Sequence, residues 1–156
     1  MRLTMMTDYA LRLLMYVAQR PDRLCTIAEV ARANGISEAH LMKVTHQLGM
    51  RGWIETVRGK GGGMRLAHAP RDVNLGAVVR SIEPDFDLVE CFAAGNQCVL
   101  TGDCRLAAVL GGALRQFMVH LDGHTLADLM PGADLPPGAG IPVRLPRAHR
   151  DSRPSS

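Results

Sequence analysis

The run from Thr26 to Glu55, TIAEVARANGISEAHLMKVTHQLGMRGWIE, constrains the fold of this chain more than any other. Its apolar residues recur at helical spacing on either side of Gly35-Ile36. Ile27, Val30 and Ala31 form the inward face of one helix, and Leu41, Val44 and Leu48 that of a second. The spacing predicts helices over Thr26 to Asn34 and Ser37 to Met50, joined by a tight turn. Trp53 to Val57 and Met64 to Ala67 then read as short strands, and the RGKGGG between them supplies a hairpin with a permissive backbone. A helix from Leu3 to Gln19, with Thr7 as its cap and Ala10, Leu14 and Val17 on one face, precedes this unit. Helix, helix-turn-helix and hairpin is the order of a winged helix. The fold class expected is mainly α, a winged helix-turn-helix domain with a long C-terminal dimerisation helix.

That last helix is read from Arg105 to Leu121, where Leu106, Leu110, Ala113, Leu114, Phe117 and Leu121 form a stripe wide enough to point to a partner subunit, closure on its own domain being the plainer alternative. Gly111 and Gly112 on it permit close approach of a partner, and a homodimer is expected. Between the two halves, Asn74 caps a helix over Leu75 to Ile82 that Pro84 stops. Thr125 and Asp128 suit a capping box for a short final turn. The organisation is therefore 1–70 as the DNA-binding domain, 71–104 as connecting helix and cysteine loop, 105–130 as dimerisation helix and end turn, and 131–156 as a disordered tail. The tail carries six prolines and four arginines with few bulky apolar residues.

Charge points the same way. The net charge is only +3, but Arg51, Arg58, Lys60 and Arg65 face a single acid, Glu55, across the hairpin region, whereas Glu83 to Glu90 holds four acids and no base. Double-stranded DNA is thus expected at the helix-turn-helix. On a helical wheel with Leu41 inward, Ala39, Lys43 and His46 point outward with Gln47 flanking them. Gln47 suits adenine, Lys43 guanine or phosphate, and Ala39 a thymine methyl. Ser37 caps the recognition helix, whose free amides suit a phosphate. In the wing, Arg58, Lys60 and Arg65 suit phosphate or the minor groove. A protein-binding role for the same unit is the plainer alternative. GKGGG lacks the spacing and following hydroxyl of a nucleotide-binding loop, and no acid–base constellation stands outside the helix-turn-helix, so an enzyme is not expected.

Three cysteines remain, in ECFAAGNQCVLTGDCRLAAVL. The first helix is interrupted by Asp8 and Arg12 and fits neither a leader nor a membrane span, which places the chain in the cytoplasm, where thiols stay reduced. Cys91-x6-Cys98-x5-Cys104 is too widely spaced for a zinc knuckle, while soft thiolates on a loop turned by Gly95, Asn96, Gly102 and Asp103 suit an iron-sulfur cluster. Zinc and a thiol redox switch stay open. Three thiolates leave one iron of a four-iron cluster without a cysteine. Cys25, the fourth cysteine, reads as a small buried apolar residue.

TDYALRLLMY, HLMKVTHQL, VRGKGGGMRLA, the three-cysteine loop and HTLADLM together resemble the winged-helix iron-sulfur regulators, in particular their nitric-oxide-sensing repressors, from Met1 to about Met130. The resemblance implies a homodimer crossed through the long helix, binding palindromic operator DNA and releasing it when nitric oxide attacks the cluster. It implies a 4Fe-4S cluster, with 2Fe-2S as the alternative, on Cys91, Cys98 and Cys104, and a carboxylate of the other subunit as fourth ligand, which falls on Asp8. Arg12 would orient that carboxylate. Asp8 as a helix-dipole acid paired with Arg12 is the simpler alternative. Cluster-assembly regulators of the same family carry a histidine three residues after the last cysteine, where this chain has Ala107. The six-residue gap between Cys91 and Cys98 departs slightly from the family's usual spacing. His120 and His124 are remote alternatives as ligands.

Overall fold

The computed structural model describes residues 2–100 and 104–133. Gly102, Asp103 and all but the first three residues of the expected tail lie outside the described residues. The elements in chain order are α1 (Met5–Ala18), α2 (Ile27–Asn34), α3 (Glu38–Met50), β1 (Ile54–Val57), β2 (Gly63–Leu66), α4 (Leu75–Ile82) and α5 (Arg105–Asp122), with 3-10 turns at Pro70–Asp72, Glu90–Phe92 and Leu126–Leu129. This is the winged helix-turn-helix with a long late helix.

α2 and α3 start and stop where their caps dictate. Thr26 accepts the Glu29 amide while the Glu29 carboxylate accepts the Thr26 amide, closing a capping box. Gly35 then ends α2 at φ 64°, a left-handed conformation that a side chain disfavours, and so permits the abrupt turn into α3. Ser37 caps α3 by accepting the His40 amide at 3.3 Å. The turn is locked from inside by Val30, Ala31, Ile36, Leu41, Val44 and Leu48, all buried against Leu13 and Leu14 of α1.

The hairpin pairs Ile54 with Leu66, Glu55 with Arg65, Thr56 with Met64 and Val57 with Gly63. Cys25 adds a short third rung, donating its amide to the Met64 carbonyl at 2.9 Å and accepting the Met64 amide at 2.8 Å. Its side chain is wholly buried. Burial pushes the Cys25 thiol up, away from the thiolate form a metal needs. Cys25 is a core residue, as its isolation in the sequence suggested.

α1 departs from expectation at its start. Thr7 is not the cap; it is fully buried within the helix, and Thr4 caps instead. The cause is a contact across 79 residues: the Glu83 carboxylate accepts both the amide (2.7 Å) and the hydroxyl (3.2 Å) of Thr4, which fixes the cap one turn before Thr7. Near its other end, the Tyr16 hydroxyl donates to Glu29 at 2.9 Å, and Arg23 pairs with the same carboxylate. Arg20 stacks on the Tyr16 ring, 3.6 Å from its centroid.

These donors, Arg23 first and Tyr16 second, lower the Glu29 pKa to about 2. A folded-state pKa below the unfolded one contributes stability that is complete above the ordinary carboxylate range and is lost as pH falls through the folded value. The thermal midpoint is expected to decline as pH is taken down toward about 2, and less steeply in Glu29→Gln; parallel melting curves for the two proteins would mean the cluster does not hold α2.

Candidate functional site

The recognition helix presents the outward set expected of it. Ala39, Lys43, His46 and Gln47 are exposed on α3, with Met42 beside them. Ser37 at its start is exposed, and its hydroxyl also contacts His40 Nδ1 at 2.8 Å. His40 lies against Tyr9 of α1, with ring centroids 6.0 Å apart, which ties the helix start to the core.

The wing is more selective than its charge count implied. Arg65 donates its Nε to Glu55 Oε2 at 2.8 Å and pairs through a second nitrogen at the same distance, the two being direct partners across the hairpin. Its charge is largely matched before any phosphate arrives. Arg58 and Lys60, at the tip, are exposed and make no ion pair among the described residues. Gly59 and Gly61 around them take φ of 96° and 76°, the turn that brings the tip backbone outward. A groove lined by Met42, His46, Met50, Val57 and Arg58 separates recognition helix from wing.

The cysteine loop is built lightly. Cys91, Cys98 and Cys104 are free and half-buried, and no described residue from 84 to 100 is buried. Its internal ties include amides of Phe92 and Ala93 donating to Val89 and Glu90, and the Cys98 amide donating to Asn96 Oδ1 at 3.2 Å. Cys104 is the N-cap of α5 and makes no side-chain capping bond, so its sulfur stands at the positive end of an 18-residue helix. Among the described residues no three of His, Cys, Asp and Glu stand close enough together to hold a metal ion. The donor set nevertheless suits an iron-sulfur cluster: three soft, reduced thiols on a segment with little packing of its own, whose final geometry a bound group would set.

Asp8 lies in the first turn of α1 with its side chain 48% exposed, and its carboxylate accepts Arg12 Nε at 3.1 Å. The pair with Arg12 is formed, and the carboxylate remains half-exposed. His124 sits 3.8 Å from Asp128 and against His120, apart from the thiol loop in sequence. The Asp128 carboxylate accepts the Thr125 amide at 2.6 Å, which lowers its pKa and makes the expected end turn.

α5 buries none of its residues within the chain. The stripe read from sequence divides, however. Leu114 and Phe117 turn inward and line a cavity with Leu3 and Phe86, and a Cβ at Gly111 would lie 3.7 Å from the Phe92 ring of the cysteine loop. The outward face instead carries Leu106 (61% exposed), Val109 (68%) and Ala113. Periodicity located the apolar residues, but which arc meets the domain depends on how α4 seats the helix.

A family model described as "Rrf2: Iron-dependent Transcriptional regulator" matches residues 3–132. The chain belongs to the Rrf2 family. Among Rrf2 relatives, "HTH-type transcriptional regulator NsrR" of Geobacillus kaustophilus (strain HTA426) is 50% identical over 132 residues, covering 83% of this chain and 90% of the relative. The protein of the same name from Bacillus subtilis (strain 168) is 48% identical over 132 residues with the same coverage. The solved structure of "T. potens IscR" superposes with a TM-score of 0.67 at 24% identity, covering 83% of this chain and 85% of that one, and shares the fold. As an Rrf2 protein the chain is a DNA-binding transcriptional regulator and not an enzyme. No helix among the described residues is long and apolar enough to cross a membrane.

Within that role we propose that α3 reads base edges and the wing tip meets phosphate. Gln47→Ala is expected to weaken operator binding by about 1–3 kcal/mol and to relax preference at one base position. Arg58→Ala should weaken every sequence alike and flatten the salt dependence. Binding curves on single-base operator variants at two salt concentrations separate the two behaviours.

Proposed function

We propose that this Rrf2 protein is a nitric-oxide-responsive repressor that binds a palindromic operator as an iron-sulfur-loaded homodimer. The observation that carries the reading is the placement of three free thiols on a lightly packed loop that ends at the cap of a long helix with one apolar arc left exposed. Cys91, Cys98 and Cys104 hold the cluster, a four-iron one, and Asp8 of the partner subunit supplies the remaining ligand. The exposed Leu106, Val109 and Ala113 face meets its counterpart in the partner. When bound, the cluster supplies iron that nitric oxide attacks, first where a hard carboxylate is the weaker ligand.

The protein's part is mechanical. With its thiols and the partner's Asp8 engaged, the loop of one subunit is tied to the first helix of the other, and the two α3 helices stand at the separation two half-sites require. Arg12 orients the Asp8 carboxylate through the bond already formed. Once the thiols and carboxylate are released the tie is gone, a small rotation breaks register, and DNA is freed, derepressing genes for nitric oxide detoxification. The names of the relatives, NsrR at 48–50% identity, support the effector.

Anaerobic purification followed by native mass and visible spectroscopy during stepwise addition of nitric oxide tests the reading. A brown dimer with about four irons per subunit, whose spectrum changes as gas is added, is expected. A colourless dimer that stays iron-free after reconstitution would sink it and point to a zinc or thiol-switch regulator of the cytoplasm with the same DNA-binding half.

A further inference from the structure

Trp53 stands where three elements meet. Its amide donates to the Leu48 carbonyl of α3 at 3.0 Å, and its carbonyl accepts the Ala67 amide, just past β2, at 3.0 Å. Its indole Nε1 donates to Ser81 Oγ of α4 at 2.9 Å. The Ser81 hydroxyl donates onward to the Val78 carbonyl at 2.7 Å, which leaves its lone pairs to the indole. One residue thus joins the recognition helix, the base of the wing and α4.

The residue before Ser81 reaches the other way. Arg80 pairs with Asp122 in the last turn of α5. At the start of α4 the Asn74 amide group donates to the Asp122 carbonyl at 2.7 Å and the His124 carbonyl at 3.3 Å, and the Leu75 amide donates to His124 at 3.0 Å. Gly76 lies so close to Asp122 that a Cβ there would collide with its carboxylate. α5 is therefore clamped to α4 at its C-terminal end, while its other end, about 27 Å away at 1.5 Å per residue, begins at Cys104. α4 itself buries Leu75, Gly76, Val78 and Val79 and so moves as one piece.

We propose that α4 is the strut that carries the state of the cysteine loop to the DNA-reading elements, with Arg80 and Ser81 as its positioning residues. Arg80 registers the angle of α5, and Ser81 passes that position through Trp53 to α3 and the wing. The proposal rests on the reading of the loop as the nitric-oxide-responsive site. It adds to that reading the route by which the response reaches DNA. An exposed ion pair such as Arg80–Asp122 adds little to stability, so its removal leaves the fold in place while loosening the register.

The test compares wild type, Arg80→Gln, Ser81→Ala and the conservative Arg80→Lys and Ser81→Thr, all as full-length protein. Operator affinity is measured before and after nitric oxide, with the visible spectrum followed in parallel. The wild-type ratio is expected to be about tenfold or more, and to fall below about threefold in Arg80→Gln and Ser81→Ala although their spectra respond normally. Lys and Thr should restore it. A full wild-type ratio in both disruptive variants would overturn the strut. Emission from Trp53, the only tryptophan, gives a reading that needs no iron. Arg80→Gln does not touch Trp53 yet should shift its emission to the red and raise its quenching by acrylamide; unchanged emission and quenching also overturn the proposal. A wild-type protein without a nitric oxide response would defeat the reading of the loop, and the emission comparison would still decide whether Arg80 and Trp53 are coupled.

Discussion

Cys98→Ala is expected to give a folded dimer that takes up no cluster and no longer distinguishes its operator from random DNA. Two thiols in place of three leave too few soft ligands to wrap a cluster, and the loop has no packing of its own to compensate. Compared as cluster-free proteins, variant and wild type should differ in stability by no more than about 0.5 kcal/mol, since the substitution falls on a half-buried loop residue away from the core. Specific binding, by contrast, depends on the tie between subunits, and its loss removes a preference that commonly amounts to about a thousandfold or more. The measurements are iron content, a thermal melt and titration of operator against random DNA. A variant that still binds operator and still lets go on adding nitric oxide would refute the scheme, because the thiol would then have no part in it.

Val109→Asp is expected to turn the dimer into a folded monomer and to lower operator affinity by about a hundredfold or more. Val109 is 68% exposed and touches the outer arc of α5, so an aspartate costs the isolated chain almost nothing. Between two such helices the same change places two carboxylates in an apolar seam without partners. A monomer reads one half-site and loses the gain of binding both together. Analytical ultracentrifugation with a circular dichroism spectrum separates dissociation from unfolding. A dimer of undiminished strength with operator affinity within about threefold of wild type would move the interface off this face.

The local part of the structure was legible because its signals are local. Gly35, Ser37 and Asn74 each act within three or four residues, and each caps or turns the chain where its spacing said it would. Cys104 opening α5 follows the same rule. The wing was legible as a hairpin from its glycines, and Cys25 as core from its place before the helix-turn-helix, far from the other three thiols.

What the linear order could not contain are contacts that exist only after the helices have docked. Glu83 reaches back 79 residues to Thr4 and resets the start of α1, so the cap expected at Thr7 is a buried core residue instead. Glu55 meets Arg65 across the hairpin register and claims a charge that composition had assigned to DNA. Trp53 finds Ser81, and Asp122 finds Arg80, at separations of 28 and 42 residues. The arc of α5 that faces outward follows from how α4 grips its end. By itself the sequence determined which residues make helices and turns and that three thiols share one loop, because hydrophobic period, caps and spacing are short-range. Only the tertiary structure decided which charges are already spent, which helix face is left over and which side chains bridge α3, α4 and α5, because each depends on distances between elements.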